Sequence, residues 1–228
     1  ELDRQRMAFF HAASHELKTP VTILKGQLTG MLEGVGVYQN RDKYLLRSLQ
    51  VTGRMENLVQ EMLTISRMEA GAAAMKQEPV ELSALLEEQL KLDAGLLEQR
   101  SQHLDKELTP GITTIGDAVL LGKVLGNLIS NASLYSPDGA GIRIWCGWQD
   151  GRPAVTVENT EAHIGEDALP HLYEAFYREE CSRNRASGGS GLGLYLVKMI
   201  LDRHRATCTI ENTADGVRAT VCFPSIFD

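Results

Sequence analysis

The chain has 228 residues, a formal net charge of −7 and 43% hydrophobic residues, enough for one or two domains that each bury a core. The acidic balance argues against nucleic-acid binding, because neutralising backbone phosphates takes clustered Lys and Arg. The four cysteines, Cys146, Cys181, Cys208 and Cys222, form no C-x-x-C pair and have no ligand-like spacing to a histidine, so reduced thiols are expected instead of a metal site. No apolar run reaches the roughly 18–20 residues needed to cross a bilayer. The chain opens on Glu1 and shows no signal peptide, and it reads as a soluble piece excised from a longer protein.

From Leu2 to about Val35, Phe10, Ala13, Leu17, Val21, Leu24, Leu28, Met31 and Val35 form an apolar stripe. At about 100° per residue these positions fall within roughly 40° of one line, which predicts a helix. His15 lies about 160° from that line and Thr19 at a similar angle on the other side, so both are expected to face outward. Gly34, Gly36, Asn40 and Asp42 then predict a turn. A second helix is expected over Lys43–Glu69 with two apolar lines, Leu45, Leu49, Val59 and Leu63 on one side and Val51, Met55, Leu58, Met62 and Ile65 nearly opposite. One antiparallel partner covers only one line. A two-chain, four-helix bundle is the simplest way to cover the other, and packing against the rest of the same chain is the alternative.

Residues 73–79, with Gly71 as C-cap before them and Pro79 as a stop, read as a linker between a domain at 1–72 and a second at 80–228. The second half predicts strands at Val80–Leu82, His103–Leu108, Ile142–Trp148, Ala154–Glu158, Cys208–Glu211 and Val217–Phe223. Helices are expected at Ser83–Gln99, Ala118–Tyr135 and Leu192–Arg203. Asp215-Gly216 is a hairpin turn signal, and the order suits an α/β sandwich with helices on one face of a sheet.

Three segments carry chemistry. In Ser14-His15-Glu16-Leu17-Lys18-Thr19-Pro20 an outward imidazole stands beside a carboxylate. A neutral ring nitrogen is a nucleophile, Glu16 can hold the proton of the other nitrogen, and Thr19 lies one turn on. Pro20 removes a hydrogen bond to Glu16 and is expected to bend the helix there. Asn127 and Asn131 are four residues apart on a predicted helix, so their amide oxygens share a face and suit Mg²⁺; taken alone, a capping or surface pair would explain them better. Gly189-Ser190-Gly191-Leu192-Gly193-Leu194 precedes an apolar helix, where backbone amides and the helix N-terminus can approach phosphate. His11, His103, His163, His171 and His204 have no comparable context and read as surface or structural residues.

Taken in this order, the three segments resemble the H, N and G2 boxes of sensor histidine kinases, and the resemblance covers nearly the whole chain. It implies a helical hairpin that forms a dimeric four-helix bundle, followed by an ATP-binding domain of the GHKL (Bergerat) type. It further implies ATP and Mg²⁺ as ligands, His15 as phosphoacceptor, a homodimer, and a response regulator receiver domain as partner. The fragment would be cytoplasmic, with a membrane segment upstream. Leu172–Arg178 resembles the F box, which adds Phe176 and Arg178 to the nucleotide set of Asn127, Asn131, Tyr135, Asn159, Ile164, Gly189, Gly191, Leu192, Gly193 and Leu194. Residues 179–187 read as a lid over the nucleotide. In the related hydrolytic branch a glutamate stands at the place of Asn127, and an amide cannot serve as that base.

The sequence departs from the family at its G1 box. Val157-Glu-Asn159-Thr160-Glu161-Ala162-His163-Ile164 stands where Asp-x-Gly-x-Gly-Ile is usual, so Asn159 replaces the aspartate that accepts from adenine, and Glu161 and His163 replace glycines. Leu134 also occupies a usually basic position. These departures leave open a regulator with poor ATP affinity whose main output is phosphatase activity. The Glu16-x-x-Thr19 spacing is shared with members that dephosphorylate their partner. A GHKL ATPase or a purely structural dimer is the remaining alternative. Together with His11-Ala-Ala-Ser-His-Glu16 and Glu211–Gly216, the altered G1 box is similar to the vancomycin-resistance sensor kinases, VanS.

Overall fold

The computed structural model describes residues 2–71, 75–178 and 189–225, with side chains from Met7 onward. Helix α1 (Leu2–Glu33) runs unbroken through Pro20, and α2 (Arg41–Glu69) returns antiparallel to it. Between them a short 3-10 turn spans Gly36–Gln39, with Gly34 and Gly36 at positive φ of 66° and 53°. α2 starts two residues before the expected Lys43, because the Asn40 side chain accepts from Lys43 N at 3.2 Å and caps it. Gly71, at φ 62°, ends the helix as its spacing predicts, its N–H reaching Met68 O. Ser48 Oγ donates to Gln27 Oε1 at 2.9 Å across the hairpin.

The hairpin buries only part of its apolar surface. On α1, Ala13 and Met31 are buried, whereas Phe10, Val21 and Leu28 from the same stripe are exposed, as is Val35 beyond the helix end. Phe9 turns inward in place of Phe10. The two lines on α2 have different fates. Leu45, Leu49, Val59 and Leu63 stay exposed, Leu49 at 68%. On the opposite line Leu58 and Ile65, together with Met68, belong to one continuous core with Leu82, Leu86 and Leu196 of the second domain. The same chain therefore covers the second line in part, while the first stays exposed among the described residues.

The second domain begins with β1 (Glu78–Glu81), which pairs antiparallel with β3 (Thr113–Gly116). Pro79 lies inside β1 opposite Ile115 instead of stopping the chain; β1 has one neighbour, so a missing N–H is tolerated. Helix α3 (Leu82–Gln99) leads to β2 (His103–Leu108), and α4 (Ala118–Leu134) follows β3. Asp117 caps α4 by accepting from Val119 N and Leu120 N. Then come β4 (Gly141–Gln149), β5 (Arg152–Thr160), α5 (Gly193–Arg203), β6 (Thr207–Asn212) and β7 (Gly216–Cys222). The five-stranded sheet has the order β2-β4-β5-β7-β6, with β2 parallel to β4 and the other pairs antiparallel.

Alternation along the strands sends Ile142, Ile144, Val155, Val157 and Val221 into a core shared with α3, α4 and α5. The opposite face is polar, with Glu158 bridging Arg143 (3.2 Å) and Arg218 (2.7 Å). His204 is buried at the end of α5. Its Nε2 accepts from Asp117 N at 3.0 Å and its Nδ1 contacts Ile200 O at 2.8 Å, which pins α5 to the start of α4. Cys146, inside β4, has its thiol pushed up to about 12 by burial and the nearby Glu81 charge, so it is an inert core residue.

Candidate phosphoacceptor and nucleotide site

His15 stands out from α1 with its side chain 74% exposed, and Glu16 is 37% exposed. Glu16 Oε1 is 3.9 Å from Nδ1, beyond hydrogen-bond distance, on the side of the ring away from Nε2. Thr19 Oγ1 points back to His15 O at 3.4 Å. Its hydroxyl is therefore on the His15 side of the helix, although no contact to the ring is made.

A cleft of about 1220 Å³ opens between α4, the end of β5, the loop before α5, and α2. Asn127, Asn131 and Tyr135 line it from α4 and its C-cap, while Asn159 and Ile164 line it from the end of β5 and the following loop. Arg178, Gly189, Gly191, Gly193 and Leu194 close the remaining side. Two residues of the expected nucleotide set lie elsewhere. Leu192 is wholly buried in the core. Phe176 packs on Phe9 of α1, ring centroids 5.3 Å apart, and donates its N–H to Gly191 O at 2.9 Å. Both shape the glycine loop from behind. A Cβ on Gly191 would sit 2.8 Å from Phe176 Cα at a φ of 73°, so only glycine fits there. The expected lid, 179–187, lies outside the described residues.

The altered G1 loop keeps a glycine-like backbone without the glycine: Glu161 has φ 58°. Its N–H donates to Asp215 O at 2.7 Å, and Asn212 clamps Ile164 through both backbone groups at 2.9 and 2.8 Å. Asn159 is buried and donates Nδ2 to Ser136 Oγ at 2.7 Å.

Sequence motifs missed three residues here. Lys123 lines the cleft one turn before Asn127, on the face shared by Asn127 and Asn131; its i, i+4, i+8 spacing was available as a signal. Glu61 reaches the cleft from α2 and accepts from Ser190 Oγ at 2.6 Å, while Ser190 Oγ also accepts from Leu192 N. Burial raises the Glu61 carboxyl above its usual range, opposed by the Ser190 bond and the Lys123 charge. Nothing local to α2 announces this contact, since its partner is 129 residues away. Asn212 is the third.

A fit for Mg²⁺ can be judged from the donors. Asn127 and Asn131 offer neutral, hard amide oxygens on one face, and Gly193 leaves room beside Asn127, where a Cβ would meet Oδ1 at 3.1 Å. Two such donors suit an ion that keeps several waters and shares itself with phosphates.

Fold and site define a nucleotide-binding α/β domain joined to a helical hairpin that presents a histidine. Residues 5–71 match the His Kinase A (phospho-acceptor) domain, and residues 116–226 match the histidine kinase-, DNA gyrase B- and HSP90-like ATPase domain. The chain belongs to the sensor histidine kinases of two-component systems. It is 35% identical to the sensor protein VanSB of Enterococcus faecalis over 95% of its own length and 48% of the relative. To the signal transduction histidine-protein kinase BaeS of Escherichia coli it is 33% identical, over 97% and 47%. The chain thus spans about half the length of the curated relatives it matches. Its fold is similar to the Acinetobacter baumannii histidine kinase AdeS, with a TM-score of 0.75, 25% identity and coverage of 93% and 98%. It is also similar to histidine kinase ThkA, solved in complex with the response regulator TrrA, with a TM-score of 0.77, 21% identity and coverage of 97% and 64%. Among the described residues no helix is long and apolar enough to cross a membrane.

Proposed function

We propose that this chain is the kinase core of a sensor histidine kinase: it binds Mg-ATP in the cleft, passes the γ-phosphoryl group to His15, and then donates it to an aspartate of a response regulator receiver domain. The observation that carries this reading is the exposed His15 imidazole with Glu16 beside Nδ1, on the same chain as a cleft lined by Asn127, Asn131 and a glycine loop.

In this scheme Nε2 of neutral His15 attacks phosphorus, and Glu16 stabilises the positive charge that builds on the ring. Asn159 accepts from the adenine amino group, the backbone amides of Gly189–Gly193 and the Lys123 ammonium hold the phosphates, and Asn127 and Asn131 hold Mg²⁺, which supplies charge neutralisation when bound. An amide at Asn127 cannot activate water, which favours transfer to the histidine over hydrolysis. The exposed line Leu45, Leu49, Val59 and Leu63 supports a homodimer. Anchoring of the whole protein to a membrane, with this part on the cytoplasmic side, rests on the family resemblance.

Incubation with γ-labelled ATP tests the reading. Acid-labile, base-stable label on the wild type, abolished in His15→Gln, is expected; free phosphate release without labelled protein would instead favour an ATPase. Thr19 extends the proposal to dephosphorylation of the partner: Thr19→Ala should lose that activity while retaining autophosphorylation, and loss of both would remove the role.

A further inference from the structure

The family's usual aspartate is an acceptor at either oxygen, so it needs no help in facing an adenine amino group. Asn159 is different, because one end of its amide accepts and the other donates. Something must choose which end meets the base. Asn159 is 5% exposed at the cleft and Ser136, next to Tyr135, is 0% exposed. Ser136 Oγ lies 2.8 Å from Ala132 O and 2.7 Å from Asn159 Nδ2. A carbonyl only accepts, so the single hydroxyl hydrogen goes to Ala132. The hydroxyl oxygen is then left as an acceptor, and Asn159 must turn its NH₂ group toward it. Oδ1 is thereby left at the other end of the amide, turned away from the Ser136 hydroxyl.

Ser136 is itself held on both sides. Arg100 Nη2 donates to Ser136 O at 2.7 Å, and Gln102 Nε2 bridges Ser133 O and Pro137 O at 3.0 and 3.2 Å. Ser133 Oγ donates back to Gln102 Oε1 at 2.6 Å. These bonds hold the backbone that carries the hydroxyl, and the bond to Ala132 O sets the direction of the hydroxyl itself.

We propose that Ser136 is a positioning residue for nucleobase choice: by fixing the Asn159 amide it makes the base site an acceptor, selecting adenine, which offers an exocyclic amine, over guanine, which offers a carbonyl. The inference rests on ATP binding in this cleft as proposed above. With Ser136 removed, the amide is free to invert and present NH₂ to a guanine oxygen.

The test compares binding of Mg²⁺ with AMPPNP and with GMPPNP, alongside thermal melting. Wild type prefers the adenine analogue. Ser136→Ala lowers that preference roughly tenfold or more, the scale of one buried polar mismatch, and Ser136→Thr restores it. With Asn159→Asp, where the acceptor no longer depends on amide orientation, adding Ser136→Ala leaves the preference intact. Equal weakening of both analogues by Ser136→Ala, or an unchanged ratio, overturns the proposal even if the melting temperature falls. A wild type that binds neither analogue instead removes the ATP site on which the inference stands.

Discussion

Replacing Glu61 by Ala removes the carboxylate that ties the glycine loop to α2. The Ser190–Glu61 bond, at 2.6 Å, is of the charge-assisted kind that contributes about 1.5–3 kcal/mol. Burial of Leu58, Ile65 and Met68 at the same boundary contributes more, on the order of 5 kcal/mol. The substitution should therefore loosen the hairpin from the ATP-binding domain without detaching it, shifting the docked-to-open equilibrium by roughly 10- to 100-fold. The carboxylate also borders the cleft near Lys123, so its loss removes a negative charge from the neighbourhood of the phosphates. Affinity for AMPPNP is expected to rise roughly tenfold. Glu61→Gln separates charge from contact, since its amide oxygen still accepts from Ser190: docking should persist while affinity rises.

The same residue gives a pH signature. Burial lifts the Glu61 carboxyl, so the folded chain holds its proton more readily than the unfolded chain does. Its contribution is most favourable at acid pH and is lost as pH climbs from the ordinary value of 4.5 through the raised one. Denaturant melts across that window should show this component in the wild type and lose it in Glu61→Gln. Titration of Glu61→Ala with AMPPNP gives the deciding result: binding no tighter than wild type would refute the electrostatic reasoning.

Gly216→Ala places a Cβ 1.8 Å from Asn159 O and 2.9 Å from Thr160 Cα, both backbone atoms that cannot swing aside. A loss of about 3 kcal/mol or more is expected, seen as a melting temperature lower by roughly 6–12 °C, with nucleotide affinity falling as Asn159 is displaced. A loss below about 1 kcal/mol would contradict the packing. Glu161→Asn keeps the left-handed backbone in a residue that tolerates it, and chemical denaturation should show a gain of about 0.5 kcal/mol; destabilisation would mean that the Glu161 side chain makes a contribution of its own.

Much of the fold was legible because it rests on periodicity and punctuation. The spacing that placed α1, the Gly71 cap and the Asp215-Gly216 turn depends on neighbours within a few residues, as does the outward direction of His15. β3 was missed because its four residues carry no strong alternation and gain their pairing from β1, more than thirty residues earlier. Pro79 differs from its expectation as a stop for a related reason. A proline is excluded from a strand only where its N–H is needed, and the single neighbour of β1 decides that.

The functional set divides along the same line. Chemical identity and order in the chain singled out His15, the asparagine pair and the glycine loop as candidates, because each segment must present fixed atoms at short range. Contacts between distant segments were decided only by tertiary packing. They set Phe176 and Leu192 behind the loop instead of in the cleft, brought Glu61 onto Ser190, and turned the Asn159 amide through Ser136. A hydrogen bond or an apolar contact acts over a few ångströms in space, and the distance along the chain that it spans leaves no local trace.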